Sequence, residues 1–187
     1  MHTEVTVAPE DDVEIRRVTL TNHADRTQDL RMSSYAEVVL APQAQDRRHP
    51  AFSKLFVQSE YIEDIDGLLF TRRPMTPDEE APYMVHMLVT PPDLEPSRMY
   101  ETDRRRFLGR GRTTRNPVVF EREGDDGWLS RTTGATLDPI MSIGQELAMG
   151  SHASVRLAYV TLVAESREDA LALARRYRSW SRVRRVF

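Results

Sequence analysis

Alternation of hydrophobic and polar positions recurs along most of the chain and predicts strands. Residues 3–8 (TEVTVA) alternate until Pro9 and the acidic cluster Glu10-Asp11-Asp12. In residues 13–22 the apolar phase slips between Ile15 and Val18, and the doubled Arg16-Arg17 at the slip predicts a β-bulge. The clearest strand spans residues 30–40, after a polar turn at 22–26. Leu30, Met32, Ser34, Ala36, Val38 and Leu40 share one face, and Arg31, Ser33, Tyr35, Glu37 and Val39 the other. A loop over 42–50 precedes strands at 51–63 and 67–73. Prolines crowd residues 74–96, which therefore read as loop and edge strand, with one strand at 83–90 (YMVHMLVT). Gly109 and Gly111 punctuate an arginine-rich loop, and residues 124–127 form a turn. Strands follow at 133–147 and 154–164; the second is apolar on both faces, which predicts a central strand covered on both sides. Ser166-x-x-Asp169 resembles a capping box with Asp in place of Glu or Gln. Ala170, Leu173, Ala174 and Tyr177 then keep helical spacing, and Arg175, Arg176 and Arg178 suit a helix C-terminus. The pattern predicts a mainly β chain: an antiparallel β-sandwich over 1–165 with one C-terminal α-helix in 166–187. There is no internal repeat.

Length and charge refine this reading. At 187 residues with a net charge of −3, the chain suits one domain, or at most two small ones, and a single domain of this size buries a sizeable core. No apolar run is long enough for a membrane helix, and Met1-His2-Thr3-Glu4 lacks the features of a signal peptide, which favours a cytoplasmic location. The absence of cysteine excludes disulfides, thiolate metal sites and a cysteine nucleophile. All basic residues except Lys54 are arginine, which reads as codon bias. Residues 1–103 carry 10 basic and 20 acidic side chains (net −10), whereas 104–187 carry 16 and 9 (net +7). Such asymmetry marks either a polyanion surface or two halves that attract each other.

Motifs for known chemistry are sparse. His2, His23, His49, His86 and His152 show no metal-ligand spacing, and Gly109-Arg110-Gly111 lacks the third glycine of a dinucleotide loop. Neither a cofactor nor a metal is expected. Glu37, Glu60, Glu63 and Asp64 are the carboxylates available for glycosidase chemistry, but on outer strand faces acids are usually just solvated. The run from Arg104 through Arg105, Arg106, Arg110 and Arg112 to Arg115 has the chemistry to clamp phosphates or stack on sugars and bases. No nucleic-acid motif accompanies it, so a solvated loop is the simpler reading. Tyr35, two residues before Glu37, and Trp128 are the aromatic candidates for stacking on sugar faces.

Ordered phrases add a resemblance. VAPEDDVEIRRVTLTNHADR (7–26), SSYAEVVLAP (33–42), HPAFSKLFVQSEY (49–61), LLFTRRP (68–74), YETDRRRFLGRGRTTRNP (100–117), GATLDPIMSI (134–143) and YVTLVAESREDALALARRY (159–177) follow one another along the chain. Together they resemble the β-sandwich region of cyclic β-1,2-glucan synthases, which is similar to the N-terminal sandwich of glycoside hydrolase family 94 phosphorylases. The resemblance spans essentially the whole chain. It implies a galactose-mutarotase-like supersandwich that packs against an (α/α)6 catalytic barrel carrying the catalytic aspartate. It also implies an incomplete sandwich, because the family has further strands before the point matching Thr3, and no barrel follows Phe187. The family's parent proteins are glycosyltransferases or phosphorylases, with a membrane-embedded part in the synthases.

The resulting expectation is a bacterial, non-catalytic accessory domain that contacts β-1,2-glucan or a related oligosaccharide and docks a catalytic barrel or a second subunit. Its candidate carbohydrate-binding residues are Tyr35, Glu37, Arg110, Arg112 and Trp128. A purely structural interdomain or dimerisation scaffold is the alternative. An independent mutarotase-like enzyme lacks a visible acid–base constellation, and neither nucleic-acid binding nor membrane insertion by this segment is expected. Missing opening strands would leave an unpaired sheet edge.

Overall fold

In the computed structural model, residues 1–74, 76, 79–122 and 127–187 are described. The N-terminal half contains β1 (His2–Val7), β2 (Val13–Thr21), β3 (Gln28–Ser33), β4 (Ala36–Glu37), α1 (Gln43–Arg48), α2 (Pro50–Lys54), β5 (Val57–Ile62) and β6 (Gly67–Arg72). Then come β7 (Tyr83–Val89), β8 (Met99–Asp103), α3 (Arg104–Leu108), a 3-10 turn at Val118–Glu121, β9 (Gly134–Ala135) and β10 (Pro139–Met149). The chain closes with β11 (Ser154–Ala164), α4 (Arg167–Tyr177) and α5 (Trp180–Val186).

All pairings are antiparallel. One sheet has seven strands in the order β1-β2-β11-β7-β6-β5-β9; a second, four-stranded sheet places β10 between β3 and β4 on one side and β8 on the other. The expected antiparallel sandwich is therefore the architecture found. β11 is central as its two apolar faces require. Leu157 and Tyr159 pack into the space between the sheets, and Ala158, Val160 and Leu162 pack under the helices. α4 begins where Ser166 accepts the Asp169 N–H at 3.0 Å and returns its hydroxyl to Asp169 Oδ2 at 2.6 Å. Ala170, Leu171, Ala174 and Tyr177 seal that outer core, and α5 adds Val183 to it after the expected helix.

Several local expectations need correction. β2 contains no bulge, since its register is unbroken against both β1 and β11. The apolar phase slips because the strand is buried on both sides: Ile15 faces the helices and Val18 the second sheet. The 30–40 strand is interrupted at Ser34-Tyr35, although β3 and β4 keep one register on β10. There the Ser34 hydroxyl accepts the Ile143 N–H at 2.9 Å, and Leu40, with φ +46°, turns the chain away. Residues 43–54, expected as loop and strand, are helical. Pro50 sits at the first position of α2, where its missing N–H costs nothing, and alternation resumes only at Val57. β7 is a central strand instead of an edge, because its prolines flank it without entering it. The 133–147 run is split: β9 pairs with β5 in the first sheet, and the chain crosses over to become the middle of the second. The expected 124–127 turn falls mostly outside the described residues.

The charge asymmetry is resolved as mutual attraction. Arg167 binds Glu60, Arg175 binds Asp64 and Arg176 binds Asp11 at 3.0, 2.7 and 2.5 Å, tying the basic helix to the acidic half. Exposed pairs of this kind add little individually, and their role here is orientation of α4. Among the described residues no helix is long and apolar enough to cross a membrane.

Candidate functional site

The polar face of β3 and β4 predicted by the alternation is the outer face of the four-stranded sheet, and a layer of loops covers part of it. Asp103 at the end of β8 starts that layer by capping α3, accepting the Arg105 N–H at 2.8 Å and the Arg106 N–H at 3.3 Å. Phe107 and Leu108 of α3 point inward, and Gly109 ends the helix at φ +85°, a conformation that strains any side chain and would crowd a β-carbon against Val118 at 3.0 Å. Glu101 is fully buried, yet its carboxylate is satisfied by the backbone N–H groups of Thr102, Asp103 and Ser130 at 3.0, 3.0 and 3.3 Å. It thereby pins the loop carrying Trp128 to β8. Met99, Phe107, Leu108, Val119, Trp128, Leu129 and Ile140 form a third core between this layer and the sheet.

Trp128 lies directly over Gly144 of β10. A β-carbon at Gly144 would stand 2.5 Å from Trp128 Cζ2 and 2.8 Å from Leu129 Cδ1. Neither group has space to retreat, so Gly144→Ala is expected to destabilise the domain by about 1–3 kcal/mol. Urea unfolding with an unchanged m-value would register that loss, whereas an unchanged midpoint would show that the layer yields.

Two features mark the outer face. The first is a groove of about 760 Å³ bounded by Asp29, Leu30 and Arg31 of β3, by Glu146, Leu147 and Ala148 of β10, and by Phe120 and Glu121. Phe120 is 42% exposed, and its ring stacks on Trp128 with centroids 5.2 Å apart and planes at 24°. Arg31 pairs with Glu146 at 3.1 Å and also donates to the Arg122 carbonyl at 2.9 Å, while Arg112 pairs with Glu121 at 2.5 Å. The second is a charged cluster. Lys54 Nζ bridges Glu37 Oε2 at 2.8 Å and Asp138 Oδ1 at 2.7 Å, and Arg104 approaches the same two carboxylates at 3.2 and 3.5 Å. Burial by itself would lower the Lys54 pKa; the bonds to Asp138 and Glu37 outweigh it and raise it. Burial raises the Tyr35 pKa against the opposing pull of Arg104, its hydrogen-bond partner.

The five residues singled out in the sequence all belong to this outer layer and fall in different settings. Tyr35 is half-buried, its ring 5.2 Å from Phe107, and Glu37 is held in the charged cluster. Arg112 reaches the groove rim through Glu121, and Arg110 is exposed in the turn between Gly109 and Gly111. Trp128 departs from its expected use: at 1% exposure, with Phe120 over its face, it is a core residue that presents no open ring to a ligand. The exposed aromatic of this layer is Phe120, and VVFE carries no distinctive spacing that would mark it in the sequence. Lys54 and Asp138, distant in the chain from Glu37, were equally invisible as partners. Among the described residues, no group of three or more His, Asp or Glu side chains is placed to hold a metal ion.

A separate polar link joins the two sheets. His86 of β7 is 3% exposed, with Nε2 2.8 Å from Ser34 Oγ and Nδ1 2.9 Å from Thr161 Oγ1, and it stacks on Tyr159. The adjoining void of about 110 Å³ has room for a few waters and not for a sugar.

Similarity to a known family and to one of its relatives extends over nearly the whole chain. The chain is 35% identical over 175 residues to the cyclic beta-(1,2)-glucan synthase NdvB of Rhizobium meliloti (strain 1021); the match covers 94% of this chain and spans 6% of that protein's length. Among solved structures, a polysaccharide lyase superposes over 92% of this chain and 21% of its own with a TM-score of 0.49 at 11% identity. Residues 1–180 match the family described as glycosyl hydrolase 94, supersandwich domain, and the chain therefore belongs to that family as a supersandwich domain related to the glucan synthase.

Proposed function

We propose that this domain is a non-catalytic accessory module that holds a β-glucan chain in the groove beside Phe120. The observation that carries the reading is the combination of one exposed aromatic ring, fixed from behind by Trp128, with a charged rim on a concave sheet face. A sugar ring has apolar faces and an equatorial belt of hydroxyls, and that pairing of surfaces is what such a groove accommodates. Arg31, Glu146, Glu121 and Arg112 supply donors and acceptors along the rim. The related synthase is named for cyclic β-(1,2)-glucan, which makes β-1,2-linked glucans the natural probe.

Amide NMR titration with linear and cyclic β-1,2-glucans, against a cellulose-derived oligosaccharide, tests this. Saturable shifts around residues 29–31, 118–121 and 146–148 are expected with the β-1,2-glucans. Phe120→Ala is expected to weaken binding by about tenfold or more, the loss of one stacking contact. Because the ring also covers one face of Trp128, the variant is expected to lose some stability, and its binding is measured well below its unfolding midpoint. No shift at millimolar sugar would reject the reading.

One observation favours the scaffold alternative. Phe52, Leu55 and Leu137 are 51%, 44% and 81% exposed, and Lys54–Asp138 pairing holds the segments of Leu55 and Leu137 together. Exposed apolar side chains around an ion-paired cluster suit docking of another domain of the parent protein. A glucan-silent domain whose Leu137→Asp variant loses association with that domain would support it.

A further inference from the structure

Away from the outer face of the second sheet, the opposite side of the seven-stranded sheet ends in a second pocket, of about 450 Å³. We propose that it is a binding site for a small ligand bearing an oxyanion, a phosphate or carboxylate on a ring-sized body. Arg156 and Arg184 would hold the charge, and Trp180 would support the body. This inference does not depend on the glucan reading.

The placement follows from register. Arg17 pairs with Ala158 and Arg156 with Thr19, so both arginines stand on the sheet face that carries Ala158 and Val160 into the helix-side core. They rise from it where that core stops, beside α5. Trp180 and Arg184 lie four residues apart, one helical turn, and so project from the same face of α5 towards them. Trp180 packs partly against the core, which fixes its ring. Ser154 also lines the pocket, its hydroxyl donating to the Leu20 carbonyl at 3.1 Å, and Asp93 is the one acid in the lining.

The charges in this pocket are not arranged like those of α4. Arg167, Arg175 and Arg176 of that helix each meet a carboxylate. Arg17 is also committed: its Nε and Nη2 donate to Glu4 at 3.0 and 2.8 Å, and its guanidinium lies 4.0 Å from the Phe187 ring centroid. The side chains of Arg156 and Arg184 have no hydrogen bond or ion pair among the described residues, although both line the same concavity. Even with Glu4 counted against Arg17 and Asp93 at the rim, the pocket keeps a net positive charge. Guanidinium groups bind phosphate and carboxylate in a planar, two-point geometry, and an indole face takes the less polar part of a ring. The volume falls in the range of roughly 300–1,000 Å³ typical of small-molecule sites.

The two tryptophans provide the assay. In a ¹H–¹⁵N spectrum of the full chain, Trp180→Phe identifies which indole resonance belongs to the pocket. Glucose 6-phosphate, glucuronate, inorganic phosphate and glucose are then titrated at constant ionic strength. Saturable movement of the Trp180 indole with glucose 6-phosphate or glucuronate is expected, and the stronger of the two tells phosphate from carboxylate. Arg156→Gln combined with Arg184→Gln is expected to weaken it at least tenfold while the spectrum stays dispersed, since both side chains are exposed. Three results would overturn the proposal: no saturable shift at tens of millimolar, affinity retained in the double variant, or inorganic phosphate binding as tightly as the ring-bearing anions.

Discussion

Replacing Trp128 with alanine is expected to lower the stability of this domain by about 3–5 kcal/mol, the range for an aromatic side chain removed from a packed core. Trp128 is 1% exposed and is enclosed by Met99, Phe107, Leu108, Val119, Leu129 and Ile140, with Phe120 on its face. The outer loops cannot easily collapse into the vacated space, because the buried Glu101 carboxylate anchors them to β8. A second variant separates packing from sugar contact. The indole Nε1–H has no hydrogen-bond partner among the described residues, so Trp128→Phe removes a buried, unsatisfied donor together with part of the ring. It should therefore cost much less than the alanine change. Urea unfolding followed by far-UV circular dichroism measures both. Alanine and wild-type midpoints that coincide would mean the third core contributes nothing to the cooperative unit.

Acid is expected to weaken the fold through His86 well before the carboxylates titrate. Burial between the sheets, helped by the positive charge of Arg16, pushes the His86 pKa from 6.5 down to about 3. The sign follows from linkage. The unfolded chain takes up a proton below about pH 6.5 and the folded one does not, so neutral His86 stabilises the fold fully above that pH. As pH falls from there towards 3, this contribution is lost at about 1.4 kcal/mol per unit, roughly 2 kcal/mol by pH 5. The local geometry explains the resistance to protonation. Both ring nitrogens already have hydroxyl partners, at Ser34 and Thr161, and a second ring proton would require one hydroxyl to turn from donor to acceptor. His86→Gln should be less stable at pH 7 and show a flatter dependence between pH 6.5 and 5. Equal slopes for the two proteins would rule out His86 as the source.

The ion pairs joining α4 to Glu60, Asp64 and Asp11 bear on how the domain is built. Opposite net charges on the two halves admit a polyanion surface as readily as internal pairing. Here much of the surplus on the terminal helix is spent inside the molecule. What is left over on the basic half includes the arginines around Trp180 and the exposed Arg110 turn.

Period-two alternation determined the strand at 3–8, because a side chain's face in an extended chain depends only on the parity of its position. Short runs apolar on both faces marked the strands at 67–73, 83–90 and 154–164. The capping residues and helical spacing likewise determined α4, and the ordered motifs determined the family. Where a strand is buried on both faces the same signal fails: the Ile15–Val18 slip looks like a bulge and is the mark of two cores. Only the tertiary structure decided that Trp128 is interior and Phe120 exposed, because that depends on which loop folds over which sheet. The cluster of Lys54, Glu37, Arg104 and Asp138, and the His86 link to Ser34 and Thr161, were decided there as well. Each joins side chains from strands or helices far apart in the chain, and their proximity is set by non-local pairing of β10 with β3, β4 and β8, and of β7 with β11, to which no local periodicity responds.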